Sequence, residues 1–117
     1  KNALNDESKS VFSGMIKVMP NAANTNSYQT NRNLLLSNTS EADSLPGLEI
    51  LANEVKCSHG ATTSKIDDQE LFYLLSRGIP KKSAENLIAL GFLDEITSKI
   101  TDEQCIELVR QKIDSRF

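Results

Sequence analysis

Cys57-Ser58-His59-Gly60 sets a thiol and an imidazole two residues apart in a chain that carries one histidine and two cysteines. In an extended strand, positions i and i+2 share a face, so a strand from Val55 to Gly60 would stand the Cys57 sulfur beside the His59 ring. Gly60, next to them, is expected to let other atoms approach. Thiolate sulfur with imidazole nitrogen suits zinc, copper or an iron-sulfur species better than magnesium or calcium. A structural zinc centre needs four protein ligands, and the chain offers only Cys105 as a further cysteine and no second histidine. Any metal held here must complete its coordination from another chain or from another part of a longer protein. The same two residues also fit a packed thiol and a hydrogen-bonded histidine, because both lie in phase with Val55.

The elements that would position this pair change character along the chain. From Ser10 to Ile66 the sequence offers short β-type runs: Val11-Phe12, Met15 to Val18, Leu34 to Leu36, Leu48 to Leu51 and Val55 to Cys57. Pro20-Asn21, Asn24 to Asn26, Asn38-Thr39 and Leu45-Pro46-Gly47 supply turn chemistry between them. Such strands cannot bury a sheet face alone and read as coils of a parallel β-solenoid, each needing a neighbour; a small β-sandwich fragment is the alternative. The missing neighbouring coil is expected before Lys1, as part of a larger protein.

Beyond Lys65 the period becomes helical. Asp67 caps a helix bearing Leu71, Phe72, Leu74 and Leu75, and Gly78 ends it. Ile79-Pro80 starts a second helix with Ala84, Leu87, Ile88 and Leu90, which Gly91 is expected to stop, leaving Phe92 to Ile100 as a separate piece. Thr101 to Gln104 reads as a capping box before a last helix striped with Ile106, Val109 and Ile113, in which Cys105 is expected as a buried structural thiol. Residues 1–66 and 67–117 are thus expected to form a β part and a helical domain.

Composition narrows the chemistry. The 117 residues carry a net charge of −3, which argues against a nucleic-acid or anionic-membrane surface. No apolar run is long enough to span a bilayer. Two cysteines without a CxxC motif favour a reducing compartment. Neither a phosphate-cradling glycine loop nor a nucleophile with its base is present, because Ser58 and His59, as strand neighbours, point to opposite faces.

The string Val55 to Thr62, followed by Leu71-Phe72-Tyr73-Leu74 and Ser76-Arg77-Gly78-Ile79, resembles the SufB/SufD family of iron-sulfur cluster assembly scaffolds. Phe12 to Val18, Thr25, Tyr28-Gln29, Asn33 to Ser37 and Pro46 to Ile50 extend the resemblance in order through the β part. Cys57-Ser58-His59-Gly60 is similar to the SufD branch, while Thr62 to Ile66 is similar to SufB. The resemblance implies the C-terminal portion of a protein built as a right-handed parallel β-helix ending in a helical domain. It implies a non-catalytic scaffold with Cys57 and His59 as shared interface ligands for a transient iron-sulfur cluster or iron. It further implies pairing with a SufB-like subunit or a second copy, and docking of a SufC-like ATPase through Leu71, Phe72, Leu74, Arg77 and Ile79. Neither nucleic acid nor membrane is implied, and the setting would be bacterial cytoplasm or plastid. A helical adaptor without metal chemistry is the rival, and a zinc-dependent or thiol hydrolase ranks last.

Overall fold

The computed structural model describes residues 1–117 as five strands followed by three helices: β1 (Asn2–Leu4), β2 (Lys9–Val18), β3 (Asn26–Leu35), β4 (Glu41–Ile50), β5 (Lys56–Lys65), α1 (Asp68–Ser76), α2 (Lys81–Thr97) and α3 (Glu103–Asp114). Every strand pairing is parallel. The odd strands form one sheet in the order β1-β3-β5, and β2 pairs with β4 in a second, so the chain alternates between sheets and no barrel closes. Partner residues lie 32 positions apart from β2 to β4 (Lys9 and Glu41) and 30 apart from β3 to β5 (Ser27 and Cys57). Three connections turn through a non-glycine residue of positive φ, at Asp6, Asn24 and Glu54. The last two stack, with the Asn24 amide donating to the Glu54 carbonyl at 2.9 Å.

Alternation puts Ser10, Phe12, Gly14, Ile16 and Val18 of β2 on the inward face, opposite Ser27, Gln29, Asn31 and Asn33 of β3. The space between the sheets is largely polar. Asn33, 1% exposed, is the largest fully buried side chain. Its amide reaches Thr63 Oγ1, while its carbonyl accepts from Asn2 at 2.7 Å; Asn31 crosses to Ser44 Oγ, also at 2.7 Å. The buried apolar residues are only Val18, Leu34, Ala84 and Ala89. Isolated from neighbours, this segment removes little apolar surface from water.

Leu45-Pro46-Gly47 is not a turn. It lies inside β4, paired with Ser13-Gly14-Met15 of β2. Glu41 and Leu51 both donate their amides toward β2, to Ser8 and Val18. Amide directions alternate along the strand, so the even-numbered residues address the other, free side, and Pro46 removes a donor only from that open edge.

Of the helices, α2 meets the odd sheet, at β1 and through Glu95 at Arg32 of β3, while α1 and α3 pack on α2. Asp67 caps α1, its carboxylate accepting from the Gln69 and Glu70 amides, and Gly78 follows with φ +82°. Gly91 does not stop α2, which runs on to Thr97 and absorbs most of the piece expected after it. Glycine inside a helix costs only about 1 kcal/mol relative to alanine, and α2 is held on several sides by β1, α1 and α3. The α3 cap is Asp102 and not Thr101: the Asp102 carboxylate accepts from the Cys105 amide at 2.8 Å. Cys105 itself is exposed, contrary to the buried thiol expected, because it falls in the first turn and off the Ile106, Val109, Ile113 stripe.

Charge ties α2 to the strands. Lys1 donates to the Phe92 carbonyl at 2.7 Å, pairs with Glu95 and sits over the Phe92 ring, and Arg32 reaches Glu95 at 2.9 Å. The Lys1 hydrogen bond holds the Glu95 carboxyl below the ordinary carboxylate range; the Thr97 hydroxyl and then Arg110 do the same for Asp94. A carboxylate lowered in the folded state contributes stability that is complete above its unfolded pKa and lost as pH falls through the folded one. Helix packing is therefore expected to loosen on acidification below about pH 4, seen as loss of helical circular dichroism. Asp94→Asn with Glu95→Gln should flatten that dependence, and an unchanged acid profile would show that these contacts do not carry it.

Candidate functional site

β5 is the last strand of its sheet, paired with β3 on one side and open on the other. Ser27 stands opposite Cys57 and Gln29 opposite His59. Since Ser27 and Gln29 follow the inward alternation of β3, Cys57 and His59 point the same way, side by side at the end of the stack. Cys57 is half-buried and His59 exposed. The Lys56 amide donates to the Thr25 carbonyl at 2.8 Å, so the backbone groups of Cys57 and His59 address the open edge. Side chains and main chain of the pair both meet whatever lies beyond β5.

The Cys57 sulfur accepts a hydrogen bond from Ser27 Oγ at 3.2 Å. Beside it, Gln29 Nε2 is buried with no acceptor. Gly60 plays a different part from the one expected of it. It occupies the opposite face, where a Cβ would come 2.8 Å from the Tyr28 hydroxyl, so its missing side chain makes room for Tyr28 and not for a ligand of the pair. No three His, Cys, Asp or Glu side chains of the chain are grouped to hold a metal. One soft sulfur, to which Ser27 directs its hydroxyl, and one imidazole suit zinc, copper or an iron-sulfur species whose other ligands come from elsewhere.

Inward-facing Leu48 and Ile50 lie on β4, opposite Ile16 and Val18 of β2. They are 37% and 42% exposed, because no further strand follows β4 in that sheet. The ligand pair and this apolar pair therefore occupy the last strands of the two sheets.

The residues expected to bind a partner divide. Leu71 and Leu74 are half-buried; Leu71 lines a cleft with Leu35, Leu36 and Ile66, and Leu74 lines a groove of about 460 Å³ with Gln69, Glu70, Tyr73 and Ile88. Ile79 is half-buried as well. Phe72 is 71% exposed, and Arg77 places its guanidinium 5.3 Å from the Tyr73 ring centre. Tyr73 and Leu75 are exposed as well, so much of the broad apolar face expected of this helix stays in water.

Ser27 and Gln29 escape a reading by local motif, because their relation to Cys57 and His59 exists only through strand register. Sliding the chain by 30 positions against itself, so that Ser27-Tyr28-Gln29 falls on Cys57-Ser58-His59, would have paired them.

Comparison with known proteins converges on one family. The family model for the SUF system FeS cluster assembly, SufBD core domain, matches residues 1–92. The iron-sulfur cluster assembly protein SufD of Escherichia coli K12 is 42% identical over 117 residues, covering all of this chain and 28% of that protein. SufD of Bacillus subtilis 168 is 33% identical over 114 residues, 94% of the chain and 26% of the relative. The chloroplastic protein ABCI7 of Arabidopsis thaliana is 33% identical over 105 residues, 90% and 22%. The chain spans about a quarter of the length of these relatives.

Proposed function

Because this chain belongs to the SufBD family of the SUF iron-sulfur cluster assembly system, we propose that it is the C-terminal portion of a SufD-type scaffold subunit. Residues 1–66 form the closing coils of a right-handed parallel β-helix, and residues 67–117 form a helical domain. Cys57 and His59 contribute two ligands to a transient iron-sulfur cluster, or to its iron, at an interface shared with a SufB-like subunit or a second copy. The observation that carries this reading is the placement of both side chains, shoulder to shoulder, on a strand whose other edge is open. An incomplete, shared ligand set can gather iron and sulfide and still release them, which a closed four-cysteine site does poorly. The subunit itself is non-catalytic, and ATP hydrolysis belongs to a SufC-like partner docked on α1. The setting is bacterial cytoplasm, or plastid in a plant.

The test is anaerobic co-purification of the full-length protein with its SufB-like and SufC-like partners, with iron and sulfide assayed for wild type, Cys57→Ala and His59→Ala. His59→Ala is expected to lower retained iron by about tenfold or more without loss of partners. Equal iron in all three would reduce the chain to an adaptor without metal chemistry, a role that the exposed Phe72 and Tyr73 would still serve.

A further inference from the structure

Ser27, Gln29, Cys57 and His59 make a two-by-two block across one strand pair, with the strands about 4.8 Å apart. Its β3 half is unusual for the interior in which it sits. Asn31 and Asn33, the next inward residues of the same strand, both find side-chain partners, through Ser44, Asn2 and Thr63. Gln29 does not: its Nε2 is sealed from water without an acceptor. It reaches across toward β2 only because residue 14 is glycine, where a Cβ would lie 2.7 Å from that nitrogen. An orphaned amide donor costs about 1–3 kcal/mol, and the stack shows with Asn31 and Asn33 that it can satisfy such groups. The orphan nitrogen faces β2, and it is Ser27, one residue pair along β3, that turns its hydroxyl to the Cys57 sulfur at 3.2 Å.

We propose that Ser27 is a positioning residue of the Cys57/His59 pair, its hydroxyl orienting the Cys57 sulfur. The inference rests on the reading of Cys57 and His59 as ligands. Hydrogen bonds to sulfur orient thiolate ligands and alter how strongly an iron-sulfur species is held.

The experiment loads the full-length protein, together with its co-purified partners, with ferrous iron and inorganic sulfide under anaerobic conditions. Ser27→Ala is expected to lower retained iron by about tenfold and to shift the sulfur-to-iron charge-transfer absorption, with Ser27→Thr restoring both. Gln29→Leu removes an unpaired buried polar group that faces β2 and is the control on the same strand: it is expected to raise the melting temperature of the cargo-free protein while leaving retained iron and sulfide at the wild-type level. Wild-type retention and spectra in Ser27→Ala, with iron lost in Cys57→Ala, would overturn the inference and leave the ligand reading standing. Equal loss of iron in Ser27→Ala and Gln29→Leu would mean that any disturbance of β3 packing is enough, and would overturn the role of Ser27. Full retention in Cys57→Ala and His59→Ala would overturn both readings.

Discussion

Phe72→Asp is expected to weaken the proposed docking of a SufC-like ATPase by about a hundredfold or more, because on that reading the change removes an exposed aromatic anchor and puts a carboxylate into the contact. Truncating an aromatic hot spot costs about 2–4 kcal/mol, and each 1.4 kcal/mol is tenfold in affinity; an unpaired charge at the contact adds to that. Phe72 is the cleanest site for this test. No residue of α1 is buried, and Phe72 turns its ring away from the groove that Leu74 shares with Ile88. Leu74→Asp and Ile79→Asp should also reduce docking, but both residues are half-buried, so their melting temperatures must be followed in parallel. Calorimetric titration of the full-length variant with the ATPase subunit decides the matter. Unchanged affinity with Phe72→Asp would remove α1 from the contact.

Leu48→Asp with Ile50→Asp is expected to separate the protein from its SufB-like partner, or from a second copy, by about thirtyfold or more in affinity. These side chains face inward on β4 yet stay partly in water, stacked on Ile16 and Val18 with nothing on their other side. A partner that continues the stack would bury them, and a carboxylate in that place would lose its hydration without gaining a mate. Sedimentation of the full-length protein with and without the partner reads the outcome, and Cys57→Ala with His59→Ala serves as the control that keeps the apolar contact. If the doubly charged variant still sediments as the complex, the shared interface lies elsewhere and Cys57 and His59 lose their proposed second half.

Much of the site was legible from spacing. Cys57 and His59 share a face because two-residue periodicity is a property of any strand, whatever surrounds it. The same local logic located the α1 cap at Asp67 and its end at Gly78. It failed where a neighbour decides. Leu45-Pro46-Gly47 has turn chemistry in isolation, but β2 pairs along the whole of β4, and the proline falls on the side where no strand asks for its amide. Gly91 has the character of a stop, yet flanking elements hold α2 helical through it. Short apolar runs also understated β3, whose inward face begins with Ser27, Gln29, Asn31 and Asn33, the two asparagines being satisfied by Ser44, Asn2 and Thr63. Hydrophobic alternation cannot find a polar interior. The cross-strand neighbours of Cys57 and His59 were hidden for the same reason: Ser27 and Gln29 come beside them only through register.

An uncovered strand end is a template, and templates invite runaway growth: identical copies can add one after another until a fibre results. Pro46 bears on that hazard. A copy laid against β4 would meet a gap in the middle of the ladder and a ring where an amide should be, whereas β5, one sheet across, offers an uninterrupted row. The terminus is therefore asymmetric as a surface for polymerisation, permissive on one side and obstructive on the other. A dedicated mate shaped around the proline can dock once, while open-ended propagation is starved at its second step. One residue with no N–H thus favours a finite complex over an aggregate.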